Sequence, residues 1–378
     1  MIIGADIRVL GAGPHSGVQE YADQVLAHMI PLDPSIRWKL FHAGRAPLHR
    51  LPWMNALNVE VTESRSSNRL LWARTRLTGK PHLDALVGGA DAFFFPHFLL
   101  GATSPSCRRV MTWHDLSFER MPELFSFGRR WWHRLQMQPR RQAASAHRLI
   151  AVSKSTAQDL SSLYRVPTDR ISVIHSGIAP GMSRPDTGDI ERYRTRTMLP
   201  RRFVLSLSTL EPRKNLESLV AAFEQLSAMP VFSDVGLVIA GPPGWLMQPL
   251  LRAVASSPAR TKIVFLGPVR PDERALLLSA ASVLAYPSLF EGFGFPPLEA
   301  MACGTPVVAA ANSSLFETVG DAGLLIDAYA PGALAGALAA ILSDGTLAET
   351  LRQRGYRHAE QFTWQRAAEK TLGAIMGA

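Results

Sequence analysis

Cysteine is scarce in this chain: Cys107 and Cys303 are the two cysteines among 378 residues. Two distant cysteines are too few for a disulfide framework or a cysteine-based zinc site, so we expect a reducing compartment. Long apolar runs are also missing, because no stretch approaches the roughly 18 residues that a membrane-spanning helix requires. The first residues lack the basic region and apolar core of a signal peptide. These absences predict a cytoplasmic protein.

Charged residues are few as well, at 19% against 47% hydrophobic residues, which is typical of a folded globular protein. A chain of 378 residues exceeds what one hydrophobic core usually serves, so two domains are expected. The net charge of +9 is uneven: residues 1–200 contain 26 Lys and Arg against 16 Asp and Glu, whereas residues 201–378 contain 14 against 15. The basic excess indicates that the first half meets an anionic partner.

Short apolar runs alternate with helical patterns in both halves, which predicts an α/β fold of parallel sheets covered by helices. These runs include IGADIRVLG, AFFFPHF, RRVMTWHD, RLIAVS, ISVIHSG, FVLSLS, VGLVIAG, KIVFLG, ASVLAYPS and PVVAA. The polar stretch 179–202, with its prolines and glycines, separates the two series. We therefore predict an N-terminal domain over 1–185 and a C-terminal domain over 186–361, with a helix at 362–378 that packs back on the first.

Two glutamates, Glu291 and Glu299, flank a Gly-Phe-Gly-Phe loop that follows the run ASVLAYP. Pro296 and Pro297 suit a first helical turn, so Glu299 is predicted in that turn and Glu291 on the loop before it. Ligands of doubly wound sheets bind beyond the carboxyl ends of strands, and carboxylates accept hydrogen bonds from vicinal hydroxyls. The pair therefore indicates a polyhydroxylated ligand. The alternative is that Glu299 only favours the helix dipole and Glu291 is solvated.

The stretch EGFGFPPLE resembles the E-x7-E signature of glycosyltransferase family 4, and the resemblance extends over most of the chain. It implies a GT-B architecture, in which two Rossmann-like parallel-sheet domains face each other across a cleft, and a retaining transfer from a nucleotide sugar. It also implies that Glu299 binds the nucleotide ribose and that Glu291 contacts the transferred sugar beside the reacting carbon. The backbone of Gly292, Phe293 and Gly294 is then expected to reach the donor.

A basic turn, TLEPRKN, follows the run FVLSLS and places Arg213 and Lys214 before a helix. Two cations near the N-terminus of a helix are suited to hold a diphosphate, and a solvated turn is the alternative. Many family 4 members have an arginine earlier in this segment, where this chain has Thr209. We therefore assign Lys214 to the diphosphate and to catalysis, with Arg213 beside it.

Two further candidates lie in the first half of the chain. The loop GAGPHSG opens a helix but lacks the spacing of a dinucleotide fingerprint, and it resembles the family loop in which a glycine, here Gly17, lets the backbone approach the donor diphosphate. His114 ends the run RRVMTWHD, and the resemblance implies that it contacts the donor sugar, with Asp115 as an orienting partner. A plain tight turn and a purely structural histidine are the alternatives.

A base pocket and the absence of a metal complete the expected donor site. The resemblance implies that Gly267 and Val269, in KIVFLGPVRPDE, line the pocket for the nucleotide base, whereas a simple strand-to-helix connection is the alternative. No Asp-x-Asp sequence occurs, so we expect no metal and no cofactor. The leaving diphosphate is then stabilised by Lys214, Arg213 and backbone dipoles.

The segment 120–148 contains seven arginines, together with the aromatic residues Phe125, Phe127, Trp131 and Trp132. It is predicted either to lie on an anionic membrane surface, at the inner face of the membrane, or to form surface helices whose aromatic side chains point into the core. No nucleic-acid recognition motif accompanies the basic residues, so nucleic acid is not an expected partner. A lipid-diphosphate-linked acceptor accounts for the charge more economically.

The leading hypothesis is a retaining hexosyltransferase of polysaccharide biosynthesis. It moves mannose from GDP-mannose to a glycan or lipid-linked glycan, because TLEPRKN and HDLSFE resemble bacterial mannosyltransferases. A nucleotide-sugar epimerase or hydrolase of the same fold remains an alternative. So do a nicotinamide-dependent oxidoreductase, from GAGPHSG, and a nucleic-acid-binding protein, from the basic charge.

Overall fold

The structure, a computed structural model, describes residues 1–11, 16–44, 48–132 and 137–377. The chain divides into two compact units: unit 1 comprises Met1–Gly177 and Thr363–Ala378, and unit 2 comprises Ile178–Phe362. The first boundary lies at 177/178 rather than at 185/186, because the Ile178 N–H already donates to the carbonyl of Phe362 within unit 2. Ala378, the last residue of the helical pattern expected over 362–378, lies outside the described residues.

Unit 1 is built on a parallel sheet whose strands lie in the order β3-β2-β1-β4-β5-β6-β7. The strands are β1 Ile2–Asp6, β2 Arg37–Ala43, β3 Val59–Ser64, β4 Ala92–Phe95, β5 Arg108–Trp113, β6 Arg148–Ala151 and β7 Ile171–Val173. Every residue of the central strand β4, with the sequence AFFF, is buried. A strand covered by helices on both faces is apolar throughout, so this burial accounts for its unbroken apolar run.

Helices cover the sheet of unit 1. They are α1 Gly17–Met29, α2 Asn68–Thr78, α3 Leu83–Leu86, α4 Ser117–Arg120, α5 Phe127–Trp131, α6 Pro139–Ser145 and α7 Lys154–Tyr164, and α16 Trp364–Met376 returns to this unit from the end of the chain. A capping box formed by Ser16 and Gln19 starts α1. The ring of Trp364 lies 5.8 Å from that of Tyr21, centroid to centroid, which docks α16 on α1.

Unit 2 repeats the plan with a parallel sheet in the order β10-β9-β8-β11-β12-β13. Its strands are β8 Arg202–Leu207, β9 Val235–Ala240, β10 Ile263–Gly267, β11 Val283–Tyr286, β12 Val307–Ala310 and β13 Leu324–Ile326. Its helices are α8 Thr187–Arg196, α9 Leu216–Ser227, α10 Gln248–Ser256, α11 Arg274–Ala280, α12 Phe295–Ala302, α13 Leu315–Thr318, α14 Pro331–Ser343 and α15 Gly345–Ala359. Apolar clusters fill both faces of the sheet.

Three strands, β2, β3 and β13, are absent from the apolar runs named above. The strands β3 and β13 lie at sheet edges and are only partly buried, so their sequences are less apolar than those of central strands. Polar residues interrupt β2, which has the sequence RWKLFHA. Edge position and polar interruption both weaken the apolar signal on which the prediction depends.

Within the described ranges, no single helix is long and apolar enough to cross a membrane. The helical stretches Pro331–Ser343 and Gly345–Met376, bent by 99°, have the required length and composition only as a pair.

The order of strands in unit 2 sets the position of two loops. The strands β8 and β11 are hydrogen-bonded neighbours although they are far apart in the sequence, with Val204 opposite Val283. Since both strands are parallel, their carboxyl ends lie side by side at one edge of the sheet. The turn after β8 and the loop after β11 therefore meet.

Candidate functional site

The turn after β8 and the loop after β11 are joined by hydrogen bonds. A 3₁₀ turn, Pro212–Lys214, follows β8 and leads through Asn215, at φ 54°, into α9. The backbone N–H of Leu289, in the loop after β11, donates to the carbonyl of Arg213 at 2.8 Å. The Asn215 side-chain amide donates to the carbonyls of Pro287 at 3.2 Å and Ala328 at 2.7 Å. The two basic residues of the turn are therefore held against the Glu291 loop.

Lys214 and Glu291 form a buried ion pair where the two loops meet. The Lys214 Nζ lies 2.5 Å from Glu291 Oε1, and the two residues are 7% and 6% exposed. Burial lowers the pKa of Lys214, an effect that Arg213 increases and Glu291 opposes. Burial alone would raise the pKa of Glu291, but the charges of Arg213 and Lys214 outweigh it and lower that pKa from 4.5 to about 2. Glu291 is therefore ionised at neutral pH.

Tyr286, the last residue of β11, completes the surroundings of Lys214. Its Oη accepts a hydrogen bond from Lys214 Nζ at 3.1 Å. Burial, together with the charge of Glu291, raises the pKa of Tyr286 well above 10, so the side chain stays a neutral phenol. A neutral acceptor leaves the positive charge of Lys214 undiminished.

Arg213 contacts two carboxylates and a backbone carbonyl. Its Nε donates to Glu211 Oε1 at 3.0 Å, and its Nη1 donates to the Phe290 carbonyl at 2.6 Å and to Glu291 Oε2 at 2.9 Å. Glu211, with a side chain 4% exposed, also lies 2.7 Å from Nη2. Two cations and two carboxylates thus form one buried cluster, comprising Glu211, Arg213, Lys214 and Glu291. Such a cluster can exchange internal ion pairs for contacts with an anionic ligand.

Hydrogen bonds with Ser313 and Ser314 fix the loop between Glu291 and α12. The Ser314 Oγ donates to the carbonyls of Glu291 at 3.0 Å and Phe293 at 2.8 Å, and the Glu291 N–H donates to Ser313 Oγ at 2.9 Å. Gly294 has φ 93° and precedes α12, and a Cβ there would lie 3.0 Å from Leu315 Cδ2. Only glycine adopts this left-handed conformation without strain.

The position of Glu299 within its helix differs from the prediction. The helix α12 begins at Phe295, so Glu299 is its fifth residue and stands just beyond the first turn, contrary to the prediction. Its side chain is fully buried, and Oε2 lies 2.6 Å from Nη2 of Arg274, the first residue of α11. The carboxylate that is predicted to contact the ribose is therefore paired with an arginine.

The two residues expected at a base pocket lie at the end of the edge strand β10 and just after it. Gly267 ends β10 at φ 79°, and the space beside its Cα holds no atom within 4 Å of a would-be Cβ. Its carbonyl accepts from the Gly241 N–H at 2.8 Å. Val269 is partly buried against the core of unit 2. Gly292, the first glycine of the loop after Glu291, is buried.

His114 and Asp115 lie at the end of β5 in unit 1. The His114 Nε2 lies 2.8 Å from the Pro96 carbonyl, which can only accept, so Nε2 carries the proton. Burial lowers the pKa of His114, against the opposing effects of that hydrogen bond and of Asp115, and the imidazole is neutral at pH 7. The Asp115 Oδ1 accepts from the N–H and Oγ of Ser117. The Pro96 carbonyl therefore orients His114, a role that the sequence suggested for Asp115.

Gly17 is the first residue of α1 and is exposed. Residues 12–15 of the loop GAGPHSG lie outside the described residues. A backbone N–H at the start of a helix points toward a ligand placed before it, which is compatible with a phosphate contact.

Comparison with known proteins identifies the family of the chain. Residues 25–181 match the family described as Glycosyltransferase Family 4, and residues 189–358 match the family described as Glycosyl transferases group 1. The chain belongs to glycosyltransferase family 4. The predicted family, the GT-B fold of two Rossmann-like parallel-sheet units and the retaining hexosyltransferase class are thereby confirmed.

Relatives of this glycosyltransferase include the O-antigen chain mannosyltransferase B of Escherichia coli, 28% identical over 96% of this chain and 96% of the relative. The D-inositol 3-phosphate glycosyltransferase of Acidothermus cellulolyticus is 37% identical over 62% of this chain, and the match spans 54% of that relative. Among solved structures, sucrose-phosphate synthase from Thermosynechococcus elongatus has a TM-score of 0.75 at 20% identity, covering 100% of this chain and 98% of that one. Anabaena HepE in complex with UDP and glucose has a TM-score of 0.73 at 19% identity, covering 100% of both chains. The structures show a shared fold.

Sequence reasoning overlooked four residues of the glycosyltransferase site. They are Glu211, Tyr286, Ser314 and Arg274. Glu211 stands two positions before Arg213 in TLEPRKN and offered a local signal, since a carboxylate so near an arginine is placed to hold it. Tyr286 ends the predicted run ASVLAYPS, and its contact is with Lys214, 72 residues away in the sequence. Ser314 and Arg274 lie outside the loop EGFGFPPLE and reach it through the fold, and no motif marks these three residues.

Proposed function

We propose that this glycosyltransferase moves mannose from GDP-mannose to a glycan or lipid-diphosphate-linked glycan in polysaccharide biosynthesis, with retention at the anomeric carbon. The similarity to an O-antigen chain mannosyltransferase along nearly the whole chain supports the sugar and the pathway class. The donor base, the acceptor and the absence of a metal requirement remain predictions. Unit 2 is proposed to bind the donor, and unit 1 the acceptor.

The observation that carries the proposal is the buried Lys214–Glu291 ion pair beside Arg213. When a sugar leaves its nucleotide, the bond between the anomeric carbon and the phosphate oxygen breaks and negative charge grows on the diphosphate. Fixed cations in a buried site stabilise that charge better than water does. Lys214 and Arg213 supply them without any reorganisation of solvent.

Glu291 has a complementary role in this scheme. Its carboxylate is ionised, as its pKa of about 2 requires, and it is held by the Lys214 and Arg213 side chains. An ionised, oriented carboxylate accepts hydrogen bonds from sugar hydroxyls beside the reacting carbon. The acceptor hydroxyl then attacks from the face that the diphosphate leaves, and a phosphate oxygen of the leaving group takes the hydroxyl proton, so configuration is retained. His114 is proposed to contact the sugar as a neutral imidazole.

A thermal-shift panel tests the donor class. Wild-type protein is heated with GDP, UDP, GDP-mannose, GDP-glucose, UDP-glucose and NADH, each at concentrations well above micromolar. We expect GDP-mannose and GDP to raise the melting temperature, since a ligand at 100 times its Kd stabilises by about 2.7 kcal/mol. Stabilisation by UDP-sugars alone would overturn the choice of GDP-mannose. No stabilisation by any nucleotide would overturn the donor site.

The acceptor and sugar are tested by product analysis. Purified enzyme is incubated with GDP-mannose and a lipid-diphosphate-linked oligosaccharide, and the product is examined by mass spectrometry and by NMR of its anomeric proton. We expect the acceptor mass to rise by one hexose and the new linkage to have the α-configuration of the donor. Free mannose without a glycosylated acceptor would instead favour a hydrolase, and an altered sugar nucleotide an epimerase.

A membrane surface is proposed for part of the segment 120–148. Phe125 is buried, whereas Phe127 and Trp131 of α5 are 76% and 56% exposed. Residues 133–136, including one of the seven arginines, lie outside the described residues. Exposed aromatic side chains among arginines suit an anionic headgroup layer. We expect sedimentation with phosphatidylglycerol vesicles but not with phosphatidylcholine vesicles, and loss of sedimentation in Phe127→Ser/Trp131→Ser protein. Equal sedimentation with both vesicles would overturn this proposal.

A further inference from the structure

The ion pair between Arg274 and Glu299 links the starts of two helices of unit 2. Arg274 is the first residue of α11 and Glu299 lies near the start of α12, and both helices begin at loops that follow strands. The Arg274 Nη2 lies 2.6 Å from Glu299 Oε2, and the two side chains are 22% and 0% exposed. The arginine is thus the partly exposed partner of a fully buried carboxylate.

Burial of the Glu299 carboxylate is energetically costly. Removing a carboxylate from water costs several kcal/mol unless a cation and hydrogen bonds replace the water. A pair that only fastened α11 to α12 could be replaced by apolar side chains at little or no loss of stability. Leu278 of α11 and Met301 of α12 already belong to one apolar cluster that joins these helices. The ion pair is therefore more than the helix packing requires.

We propose that Arg274 is a positioning residue for donor binding, acting through Glu299 on the ribose of the nucleotide. The inference depends on the proposed function and on the ribose contact that the family resemblance implies for Glu299. Arg274 keeps the buried carboxylate ionised. On donor binding the long, partly exposed arginine side chain shifts outward, admits the diol and remains the counter-ion.

The charge state of Glu299 determines how many of its carboxylate oxygens accept hydrogen bonds from the ribose. An ionised carboxylate offers both oxygens as acceptors to the two hydroxyls of a ribose, whereas a protonated one donates from one oxygen. Without Arg274, the fully buried Glu299 carboxylate loses the cation at 2.6 Å and takes up a proton. Recognition of the diol is then lost, whereas the contacts of Lys214 and Arg213 with the diphosphate are unaffected.

The test compares a nucleotide that has the diol with one that lacks it. Affinities for GDP and 2′,3′-dideoxy-GDP are measured by isothermal titration calorimetry on wild-type, Arg274→Met, Arg274→Lys and Glu299→Gln proteins. Arg252→Met is the matched control, because Arg252 is an exposed arginine of α10 in the same unit. If GDP does not bind, the same affinities are measured for UDP and 2′,3′-dideoxy-UDP.

We expect wild type and Arg252→Met to prefer GDP over its dideoxy analogue by roughly a hundredfold or more, as two hydrogen bonds to a charged group imply. Arg274→Met and Glu299→Gln lower GDP affinity to that of the analogue and leave the affinity for the analogue unchanged. Arg274→Lys restores part of the preference, because the charge returns without the planar fork. In turnover assays Arg274→Met raises the KM for the donor and leaves kcat nearly unchanged.

Three outcomes overturn the inference. Full retention of the preference for the diol in Arg274→Met would make the ion pair structural, and so would a loss of affinity by the same factor for both nucleotides. A preference that increases in Arg274→Met would make Arg274 a competitor of the ribose. If Arg274→Met fails to fold, the decision rests on Arg274→Lys, whose preference must fall between those of wild type and Glu299→Gln. Failure of the wild-type protein to bind GDP or UDP would refute the proposed function itself.

Discussion

Replacing Glu291 by glutamine tests the electrostatics of the buried cluster. The substitution keeps the shape of the side chain and removes the negative charge that lies 2.5 Å from Lys214 Nζ and 2.9 Å from Arg213 Nη1. The pKa of Glu291 falls from 4.5 to about 2 in the folded protein. At 1.36 kcal/mol per pKa unit, this shift corresponds to about 3 kcal/mol of folding free energy at neutral pH.

We expect Glu291→Gln to lower the free energy of unfolding of unit 2 by about 3 kcal/mol at pH 7. For a unit of this size the melting temperature falls by roughly 6 to 12 °C. Because the folded-state pKa lies below the ordinary value, the contribution of Glu291 is complete above its ordinary pKa of 4.5 and is lost as the pH falls toward 2. The difference between the variant and wild type therefore shrinks over that pH range.

The same change has an opposite effect on diphosphate binding. In Glu291→Gln the two cations have lost a counter-charge, so inorganic diphosphate or GDP stabilises the variant more than the wild type, while turnover falls. Differential scanning calorimetry with and without diphosphate measures both effects. Glu224→Gln, on α9 and away from the cluster, is the matched control and is expected to change neither. A variant as stable as wild type at pH 7, or one that gains nothing extra from diphosphate, would refute this reasoning.

The remaining predictions concern the two glutamates, His114 and a loop glycine. Glu299→Ala is expected mainly to raise the KM for the donor and Glu291→Ala mainly to lower kcat, and equal small effects on both constants would contradict this division. His114 should show the Nε2–H tautomer in nitrogen-15 NMR and should stay neutral below its ordinary pKa of 6.5, so the stability it contributes is lost in acid; titration at or above 6.5 would argue against the burial described. Gly294→Ala should cost about 1–2 kcal/mol because a Cβ is strained at φ 93°. The control is Gly336→Ala, in α14 with open space around it, which should stabilise the protein by about 0.4–1 kcal/mol. Chemical denaturation measures the free energy of unfolding of both variants, and similar effects of the two substitutions would contradict the strain at Gly294.

The strands that the sequence predicted have short, mostly apolar runs, a local signal that needs no knowledge of their neighbours, and even the edge strands β7 and β10 have it. The edge strands β3 and β13 lacked that signal. The loop EGFGFPPLE could be located for a similar local reason, since its glycines and prolines constrain the backbone wherever the chain is placed. Its helix nevertheless begins one residue before Pro296, so the first turn ends before Glu299.

The sequence by itself determined the fold class and the chemical content of the site, because periodicity, turn residues and the family signature are local properties. It supplied the cations of TLEPRKN and the carboxylates of EGFGFPPLE. Only the tertiary structure decided which of them meet. The strands β8 and β11 are neighbours through a crossover, and this brings Lys214 to Glu291, whereas the packing of α11 beside α12 brings Arg274 to Glu299. Burial of those pairs, and hence the strength of their charges, depends on contacts between distant residues, which no local pattern encodes.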